Sequence, residues 1–248
     1  MSHARHGAQP AEWIRPPSVG LFQKLLEAAG GCARILTLAP EIPGALDLVE
    51  SARKAGLVVG LGHTDATYAE TQAAIERGAT HGIHVFNAMR PFTHRETGVV
   101  GAVLTDPRVT AELIADGVHV DDPAMRILIA AKGFERVVLV SDATAAAGMP
   151  DGSYRLGPLE VTVTGGVCRN AHGHLAGSTL TLDRALRNIV ALGVPLREAL
   201  CMLTVNPSRV LGLEKTKGIL APGADADLVL LDSNLEVKGV MTRGVGLP

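Results

Sequence analysis

The chain has 248 residues and a formal net charge of −2 at pH 7, and it is 47% hydrophobic, 19% charged and only 3% aromatic. This is the composition of a globular α/β chain, and the near-neutral charge predicts no nucleic-acid partner and no binding to an anionic membrane. With no apolar run of the roughly 18 residues that a membrane span needs, and three widely separated cysteines, the sequence predicts a cytoplasmic protein with reduced, buried thiols.

Apolar patterning predicts that helices and strands alternate as far as Asp142. The first helix begins at Ser18, a typical N-cap, and ends at Gly30 and Gly31. Helices are predicted at residues 18–31, 43–55, 67–77 and 122–132, and strands at residues 34–40, 58–61, 81–86, 109–115 and 136–140. A long loop around MRPFTHRETG is predicted between the strand at residues 81–86 and the strand at residues 109–115. This order gives five β/α units and predicts a parallel sheet.

From Ser153 the pattern alternates apolar and polar residues around a Gly165-Gly166 turn, which predicts an antiparallel hairpin. Helices follow at residues 182–192, 196–203 and 207–211, and the tail predicts a strand, a turn and a strand that pair with the hairpin. The predicted fold class is α/β: an incomplete TIM-type barrel of about the last five β/α units, followed by part of a small β-sandwich. The expected segments are 1–150 for the partial barrel, 151–174 for the β-hairpin, 175–220 for returning barrel helices and 221–248 for C-terminal sandwich strands.

Two histidines follow successive strands in the stretch VVGLGHTDATYAETQAAIERGATHGIHVFNAMR. Parallel strands joined by a right-handed crossover end on the same side, so His63 and His84 are expected to face one common mouth. A single histidine at such a position is usually a packed or loop residue. A pair on adjacent strands supplies two of the three protein ligands that a catalytic zinc typically uses.

Asp142 ends the last parallel strand in VLVSDATAAAG and is expected at the same mouth. An aspartate there is, by itself, typical of an N-cap or a turn. Beside a metal it is well placed to take a proton from water and to return it to a leaving amine. His63, His84 and Asp142 together therefore predict metal-assisted hydrolysis.

Six motifs carry a resemblance to a known family: GHTDATY, HVFNAM, ETGVVGA, ADGVHV, VSDATAAAG and LAGSTLTL. In order and spacing they resemble the N-acetylglucosamine-6-phosphate deacetylases of the amidohydrolase superfamily, from about Arg5 to the C-terminus. The resemblance implies a metal-dependent-hydrolase barrel that removes the acetyl group from N-acetylglucosamine 6-phosphate.

By that resemblance, His63 and His84 bind a divalent metal, most readily zinc although iron or another divalent ion also fits, and Asp142 is the catalytic acid and base. The implied substrate-binding residues are Ala8, Gln9, Asn87, Ala88, Arg95, Asp116, Gly117, Val118, His119, Leu175, Ala176 and Gly177. Arg95 and His119 resemble the family's phosphate-binding pair. The implied partners are a small sugar phosphate and a second copy of the chain, a homodimer in which the phosphate site is completed across subunits.

The sequence departs from the family pattern in three places. The family's metal glutamate lies in an HLEGP motif that would precede residue 1, together with the first barrel strands and half of the sandwich. Gln9 stands where many members carry a histidine. His172 and His174 form an HGH pair at variable turn positions, so a loop is expected there. Glu41 is a conceivable substitute ligand, although a structural role or a helix start is the favoured interpretation.

Three functions remain open from the sequence. The first is the deacetylase, and the second is a catalytically inactive fragment or remnant that lacks the third metal ligand. The third is another amidohydrolase, such as a cyclic-amide hydrolase, against which the phosphate pair argues.

Overall fold

A computed structural model describes residues 1–246 of the chain. Its first part alternates helices and strands as the sequence predicts. The strands are β1 (Ile35–Leu38), β2 (Val58–Leu61), β3 (Ala79–Gly82), β4 (Thr110–Ile114) and β5 (Val137–Val140), and the helices are α1 (Val19–Ala28), α2 (Ala45–Lys54), α3 (Tyr68–Glu76), α4 (Gly98–Thr105) and α5 (Asp122–Lys132).

The second part contains two antiparallel sheets separated by helices. Its elements are β6 (Gly152–Leu156), β7 (Leu159–Thr164), β8 (Val167–Asn170), α6 (Leu182–Ala191), α7 (Leu196–Leu203), α8 (Val205–Val210), β9 (Leu228–Leu231), β10 (Val237–Thr242) and β11 (Val245–Gly246). Single turns of 3₁₀-helix lie at His3–Arg5, Ala11–Trp13 and Phe134–Arg136. The last two residues of the expected 221–248 segment lie outside the described residues.

The five parallel strands form one sheet in the order β1-β2-β3-β4-β5, with helices packed against it. Their carboxyl ends therefore share one edge, which is the geometry that a barrel-type site needs. The predicted fold class, an α/β partial barrel followed by antiparallel strands, is confirmed. Helix α3 shows how local sequence sets these elements, because Thr67 and Glu70 form the capping box expected at its start.

Two elements of the parallel region differ from the expectation. Strand β3 ends at Gly82, so His84 lies in the loop after the strand and not within it. Helix α4 was not expected at all, because its residues from Gly98 to Leu104 are all buried. A helix that is apolar on every side has no amphipathic period for sequence reasoning to detect.

The antiparallel region also differs. The expected hairpin is a three-stranded sheet, because a second tight turn at Gly157, with φ of 58°, separates β6 from β7. The tail does not pair with that sheet among the described residues. Strands β9, β10 and β11 instead form a sheet of their own, with Arg243 and Gly244 in the turn between the last two.

The main core lies between the parallel sheet and its helices, and a smaller cluster lies under the β6–β8 sheet. Cys168 is buried in that smaller cluster and Cys201 is half-buried. Cys32 is exposed, so the expectation of a buried thiol is wrong at that position. In residues 1–246, no helix combines the length and the apolar character that crossing a membrane requires.

Candidate active site

The three residues that the sequence selects meet at the carboxyl edge of the parallel sheet. His63 follows β2, His84 follows β3 and Asp142 follows β5. The two imidazole rings approach edge to face, with their centroids 4.9 Å apart. They face a cavity of about 250 Å³, which is lined by Gly7, Ala8, Gln9, His63, His84, Asn87, Ala88, His119, Asp142, Ala143, Thr144, Leu156, Leu175 and Gly177.

Backbone strain is concentrated at this site. His63, His84 and Asp142 have φ of 48°, 31° and 48°, in the left-handed region that side chains other than glycine avoid. Ala88, with φ of 49°, adds a fourth strained residue in the cavity wall. Such conformations typically cost about 1 to 3 kcal/mol each and persist where surrounding structure enforces them, often at functional sites.

The orientation of the His63 ring is set by the N-terminal segment. Nδ1 of His63 lies 2.9 Å from the carbonyl oxygen of Arg5. A carbonyl only accepts, so Nδ1 donates, and Nε2 of the neutral ring is left as a lone-pair donor. Burial, followed by the neighbouring His84 ring, lowers the pKa of His63. Both effects favour the neutral imidazole that binds metals.

The His84 ring carries an unsatisfied polar atom. Its Nδ1 is buried and has no hydrogen-bond partner in the described part of the chain, and the residue is only 7% exposed. A buried nitrogen without a partner is destabilising, and an ion or ligand is one explanation of it. The backbone N–H of His84 donates to Oε2 of Glu112 at 3.0 Å.

Asp142 sits in an environment suited to proton transfer. Asp142 is open to solvent at the cavity mouth, but desolvation by the surrounding walls raises the pKa of its carboxyl above the ordinary value, and the nearby His84 and His119 rings oppose that shift. A carboxyl group with a raised pKa is a better match to general acid–base chemistry near neutral pH than an aspartate with an ordinary pKa is.

His119 and Asp116 form a buried pair at the border of the cavity. Nδ1 of His119 lies 2.7 Å from Oδ2 of Asp116, and the two side chains are 7% and 6% exposed. Burial by itself raises the pKa of Asp116, but hydrogen bonds from the His119 ring and from backbone N–H groups outweigh it and lower the pKa. The carboxylate therefore fixes the ring, which borders the cavity.

The structure brings together only part of the expected substrate-binding set. Ala8, Gln9, Asn87, Ala88, His119, Leu175 and Gly177 line the cavity with the two histidines and Asp142. Asp116 and Val118 line a neighbouring cavity that shares His119, and Gly117 is exposed in the same loop. Ala176 is buried in the smaller core cluster, and Arg95 is exposed and outside the cavity wall.

Sequence reasoning missed several residues that support the site. Glu112 and Arg5 contact the two histidines as described, and Thr144 and Leu156 complete the cavity wall. Glu112 leaves a detectable signal, because it and Thr110 are polar at alternate positions of an otherwise apolar strand. Arg5 acts through its carbonyl, which no side-chain pattern reveals.

Glu41 has a structural role in this arrangement. Its carboxylate accepts the Thr64 hydroxyl at 2.5 Å and the Asp65 N–H at 2.7 Å, and so ties the loop after β1 to the loop after β2. This agrees with the favoured interpretation of that residue.

Two imidazole nitrogens are available to a metal at this site, Nε2 of His63 and the unpartnered Nδ1 of His84. They fit a divalent ion as two of its ligands, since zinc, iron and related ions accept neutral imidazole. Across residues 1–246, no group of three or more His, Cys, Asp or Glu side chains is arranged to hold such an ion. The described residues therefore supply two imidazole ligands for a metal at this site.

The chain belongs to the amidohydrolase family, which matches residues 26–246. Members of this family generally depend on a divalent metal. The two histidines at the carboxyl edge of a parallel sheet agree with that membership.

The similar proteins of known name are amino-sugar phosphate deacetylases. The chain is 44% identical over 96% of its length to an N-acetylgalactosamine-6-phosphate deacetylase from Escherichia coli O157:H7, and 40% identical over 98% of its length to an N-acetylglucosamine-6-phosphate deacetylase from Lysinibacillus sphaericus. It covers 63% of each, so it spans just under two thirds of the length of these relatives.

A solved structure gives the same picture. A mutant N-acetyl-D-glucosamine-6-phosphate deacetylase from Mycobacterium smegmatis, in complex with N-acetyl-D-glucosamine-6-phosphate, superposes with a TM-score of 0.94 at 46% identity, covering 99% of this chain and 66% of that one. The relatives thus share both the fold and a substrate class, N-acetylhexosamine 6-phosphates.

Proposed function

We propose that this protein hydrolyses the acetamide of N-acetylglucosamine 6-phosphate to acetate and glucosamine 6-phosphate. The observation that carries the proposal is the convergence of His63, His84 and Asp142 on one cavity at the carboxyl edge of the sheet. The named relatives supply the substrate class, and one of them acts on the galactosamine epimer by its name. Both epimers therefore belong in the assay.

The proposed roles follow from the chemistry of each side chain. His63 and His84 hold a divalent metal, for which we propose zinc. When bound, the ion supplies Lewis acidity toward an amide carbonyl and toward water. Asp142 accepts the proton of the attacking water and then donates it to the leaving amine, the two tasks that a carboxyl with a raised pKa can perform.

The sugar phosphate is proposed to lie along the loop after β3 and against His119. Asn87 and Ala88 line the cavity there, and Leu175 and Gly177 form its opposite wall. His119 presents Nε2 to the ligand because Asp116 holds the other ring nitrogen. An imidazole held in this way is a directed donor for phosphate oxygen when protonated.

The test is release of acetate and glucosamine 6-phosphate by the 248-residue protein with added zinc. Asp142→Asn is expected to abolish release with little loss of zinc, because the amide keeps the shape but cannot accept the proton. His63→Ala is expected to lose both release and zinc. Near-normal turnover by Asp142→Asn contradicts the role given to this residue.

A second candidate is a catalytically inactive protein that has the same site. It is supported by the donor count of two imidazoles in the described residues, where a catalytic zinc typically has three protein ligands. It predicts that zinc is bound weakly and is lost on dialysis. Stoichiometric zinc that survives dialysis, together with turnover, rejects this candidate.

We further propose a homodimer in which Arg95 serves the neighbouring copy, because Arg95 is exposed and does not line the cavity of its own chain. Losing a charged hydrogen bond of this kind costs about 1.5 to 3 kcal/mol, or roughly tenfold to over a hundredfold in affinity. Arg95→Ala should therefore impair use of the 6-phosphate and leave the unphosphorylated sugar, a poor substrate, nearly unchanged.

Mixing the impaired Arg95→Ala protein with the inactive Asp142→Asn protein tests this exchange of Arg95. In a heterodimer of Arg95→Ala and Asp142→Asn chains, one site has both an intact Asp142 and an intact Arg95 from its neighbour, so an equal mixture should recover about a quarter of the wild-type activity. If activity does not recover after subunit exchange, the exchange of Arg95 is contradicted.

We also propose a cytoplasmic location, supported by cysteines that form no disulfide in the described residues.

A further inference from the structure

A polar cluster built around a buried histidine lies between strands β3 and β4, next to His84. Nε2 of His81 lies 2.9 Å from Oε1 of Glu112, and Nδ1 of His81 lies 2.5 Å from Oγ1 of Thr110. The side chain of His81 is 1% exposed and that of Glu112 is 15% exposed. None of these side chains lines the site cavity itself.

The sheet register creates this cluster. His81 of β3 is paired with Thr110 of β4, and Glu112 follows two positions later on the same face of β4. A buried histidine and a largely buried carboxylate are costly to desolvate, and apolar residues of similar size would pack there without that cost. The cluster therefore calls for an explanation beyond the stability of the sheet.

Glu112 connects the cluster to the candidate metal site. Its Oε2 accepts the backbone N–H of His84 at 3.0 Å, while its own carbonyl oxygen accepts the N–H of Val85 at 3.0 Å. The ladder between β3 and β4 ends at Gly82 and Ala111, so Glu112 continues the anchoring beyond the end of the sheet. It holds His84 in its strained conformation, with φ of 31°.

We propose that Glu112 is a positioning residue for His84, and that His81 locks the Glu112 carboxylate in place, so that this pair tunes the affinity of the site for a divalent metal. The inference rests on the proposed function, because it takes His84 as a metal ligand. Partners of metal-binding residues typically change metal affinity by about 10- to 100-fold when they are removed.

The hydrogen inventory supports this division of roles. Nε2 of His81 meets Oε1 of Glu112 and Nδ1 meets Oγ1 of Thr110, whose hydroxyl also lies 3.2 Å from the carbonyl oxygen of Thr80. Both carboxylate oxygens of Glu112 are then engaged, one by His81 and one by the His84 N–H. Glu112 thus acts through His84 and not on the ion.

Three substitutions separate positioning from simple packing. Glu112→Gln keeps the volume, but its oxygen can face only one of His81 and the His84 N–H, and its NH₂ group then faces the other. His81→Gln keeps a side-chain donor for Glu112, whereas His81→Leu has none. Glu160→Gln, the same chemical change at an exposed position of β7, is the matched control.

The experiment is calorimetric titration of the 248-residue protein with Zn²⁺ alone, with the unfolding temperature of each variant measured alongside. We expect Glu112→Gln and His81→Leu to weaken zinc binding by about 10- to 100-fold. His81→Gln should retain most of the affinity, and Glu160→Gln should match the wild type.

Five outcomes are decisive. If His84→Ala binds zinc as the wild type does, the proposed metal site itself fails. If His84→Ala weakens binding but Glu112→Gln does not, the positioning role is overturned. If His81→Gln binds zinc as weakly as His81→Leu does, the cluster is structural. The same conclusion follows if the zinc affinity of the variants falls only in proportion to their unfolding temperatures. The proposal is supported if His81→Gln binds zinc nearly as tightly as the wild type, His81→Leu binds it more weakly, and the unfolding temperature is unchanged.

Discussion

Asp65 is the residue that fastens the N-terminal segment to the site. Its carboxylate accepts from Nε of Arg5 at 2.8 Å and from the guanidinium of Arg90 at 3.0 Å. Arg5 in turn provides the carbonyl that orients His63, and Gly7 to Gln9 continue into the cavity wall. One carboxylate thus holds both a cavity wall and the ring of a candidate metal ligand.

Asp65→Asn is expected to lower the free energy of unfolding by about 1 kcal/mol, a value discounted because the side chains involved are about 30% exposed. It should also weaken zinc binding, since the Arg5 carbonyl is no longer held against His63. Urea unfolding and zinc titration measure the two effects. Asp47→Asn, at a carboxylate that is 77% exposed, is the control and should leave both unchanged. Equal effects of the two variants would count against the fastening role.

At the scale of single residues, the sequence predicts the residues that act through side chains at strand ends. His63, His84 and Asp142 were found because parallel strands must end together. The contacts of Arg5 with His63 and of Glu112 with His84 could not be found in that way, since a backbone carbonyl and a backbone N–H carry no sequence signal. Arg95 was expected at the pocket, but it lies outside the cavity of its own chain.

Among the elements, the segment 175–178 is paired closely with the backbone that carries Asp142. The N–H of Ser178 donates to the carbonyl of Asp142 at 2.8 Å, and the N–H of Thr144 donates to the carbonyl of Ser178 at 3.0 Å. Gly177 has φ of 63°, and a Cβ added there would lie 2.5 Å from Cγ2 of Thr144 and 3.0 Å from the Asp142 carbonyl. Only glycine fits this approach without displacing the strand end.

Gly177→Ala should therefore destabilise the protein by roughly 2 to 4 kcal/mol, because it combines backbone strain with a steric conflict. Gly173→Ala is a matched control, since φ is 80° there but a Cβ meets nothing within 4 Å. The control should lose only about 1 kcal/mol. Thermal or urea unfolding compares the two, and equal losses would mean that the contact with the Asp142 backbone is unimportant.

Helices α4 and α5 are joined by a buried lysine. Nζ of Lys132 donates to the carbonyls of Val103 and Asp106 at 2.9 Å and 2.8 Å, at the end of α4. The residue is only 9% exposed. Burial, followed by the nearby Arg136, lowers the pKa of Lys132 to about 8. A neutral amine still has two hydrogens for the two carbonyls, so the contact survives deprotonation.

The stability of the protein should consequently rise with pH through this group. Between about pH 8 and about pH 10.5 the unfolded chain binds a proton at Lys132 that the native state does not, so the free energy of unfolding increases by roughly 1 to 3 kcal/mol. Below pH 8 both states are protonated and that gain is absent. Denaturant unfolding of the wild type and of Lys132→Met at several pH values measures the difference, which should not change with pH if the lysine titrates normally.

Element prediction succeeded where a period or a cap was present and failed where neither was. The capping box of α3 and the Ser18 cap of α1 were predicted and are confirmed. Helix α4 was missed because it is apolar on every side, and the separate tail sheet was missed because sheet partners are set by tertiary contacts.

For the whole molecule, the parallel sheet has two edges. Strand β1 forms one edge and β5 the other, and within the described residues the two do not pair. Ile35 on β1 is 38% exposed. An uncovered edge offers unpaired backbone donors and acceptors to a second chain, so it favours association between sheets.

We expect the protein to form species larger than a dimer as its concentration rises. Ile35→Lys should suppress these species, because a charged side chain on an edge strand opposes pairing with another edge. Light scattering after size-exclusion chromatography measures this, with Ile127→Lys, at an exposed isoleucine on α5, as the control. A wild-type protein that stays monomeric at every concentration would show that the β1 edge is protected.

The left-handed conformations around the cavity imply that resistance to proteolysis and the proposed activity are opposed in this chain. Glycine at position 142 or at position 88 relieves a strained φ, for a net gain of a few tenths to about 1 kcal/mol each. A pooled library sorted by survival of protease should therefore enrich glycine at Asp142 and Ala88. Under the proposed deacetylase function, a growth selection that requires the amino sugar as nitrogen source should reject glycine at Asp142, so the two sorting schemes should rank that substitution in opposite order.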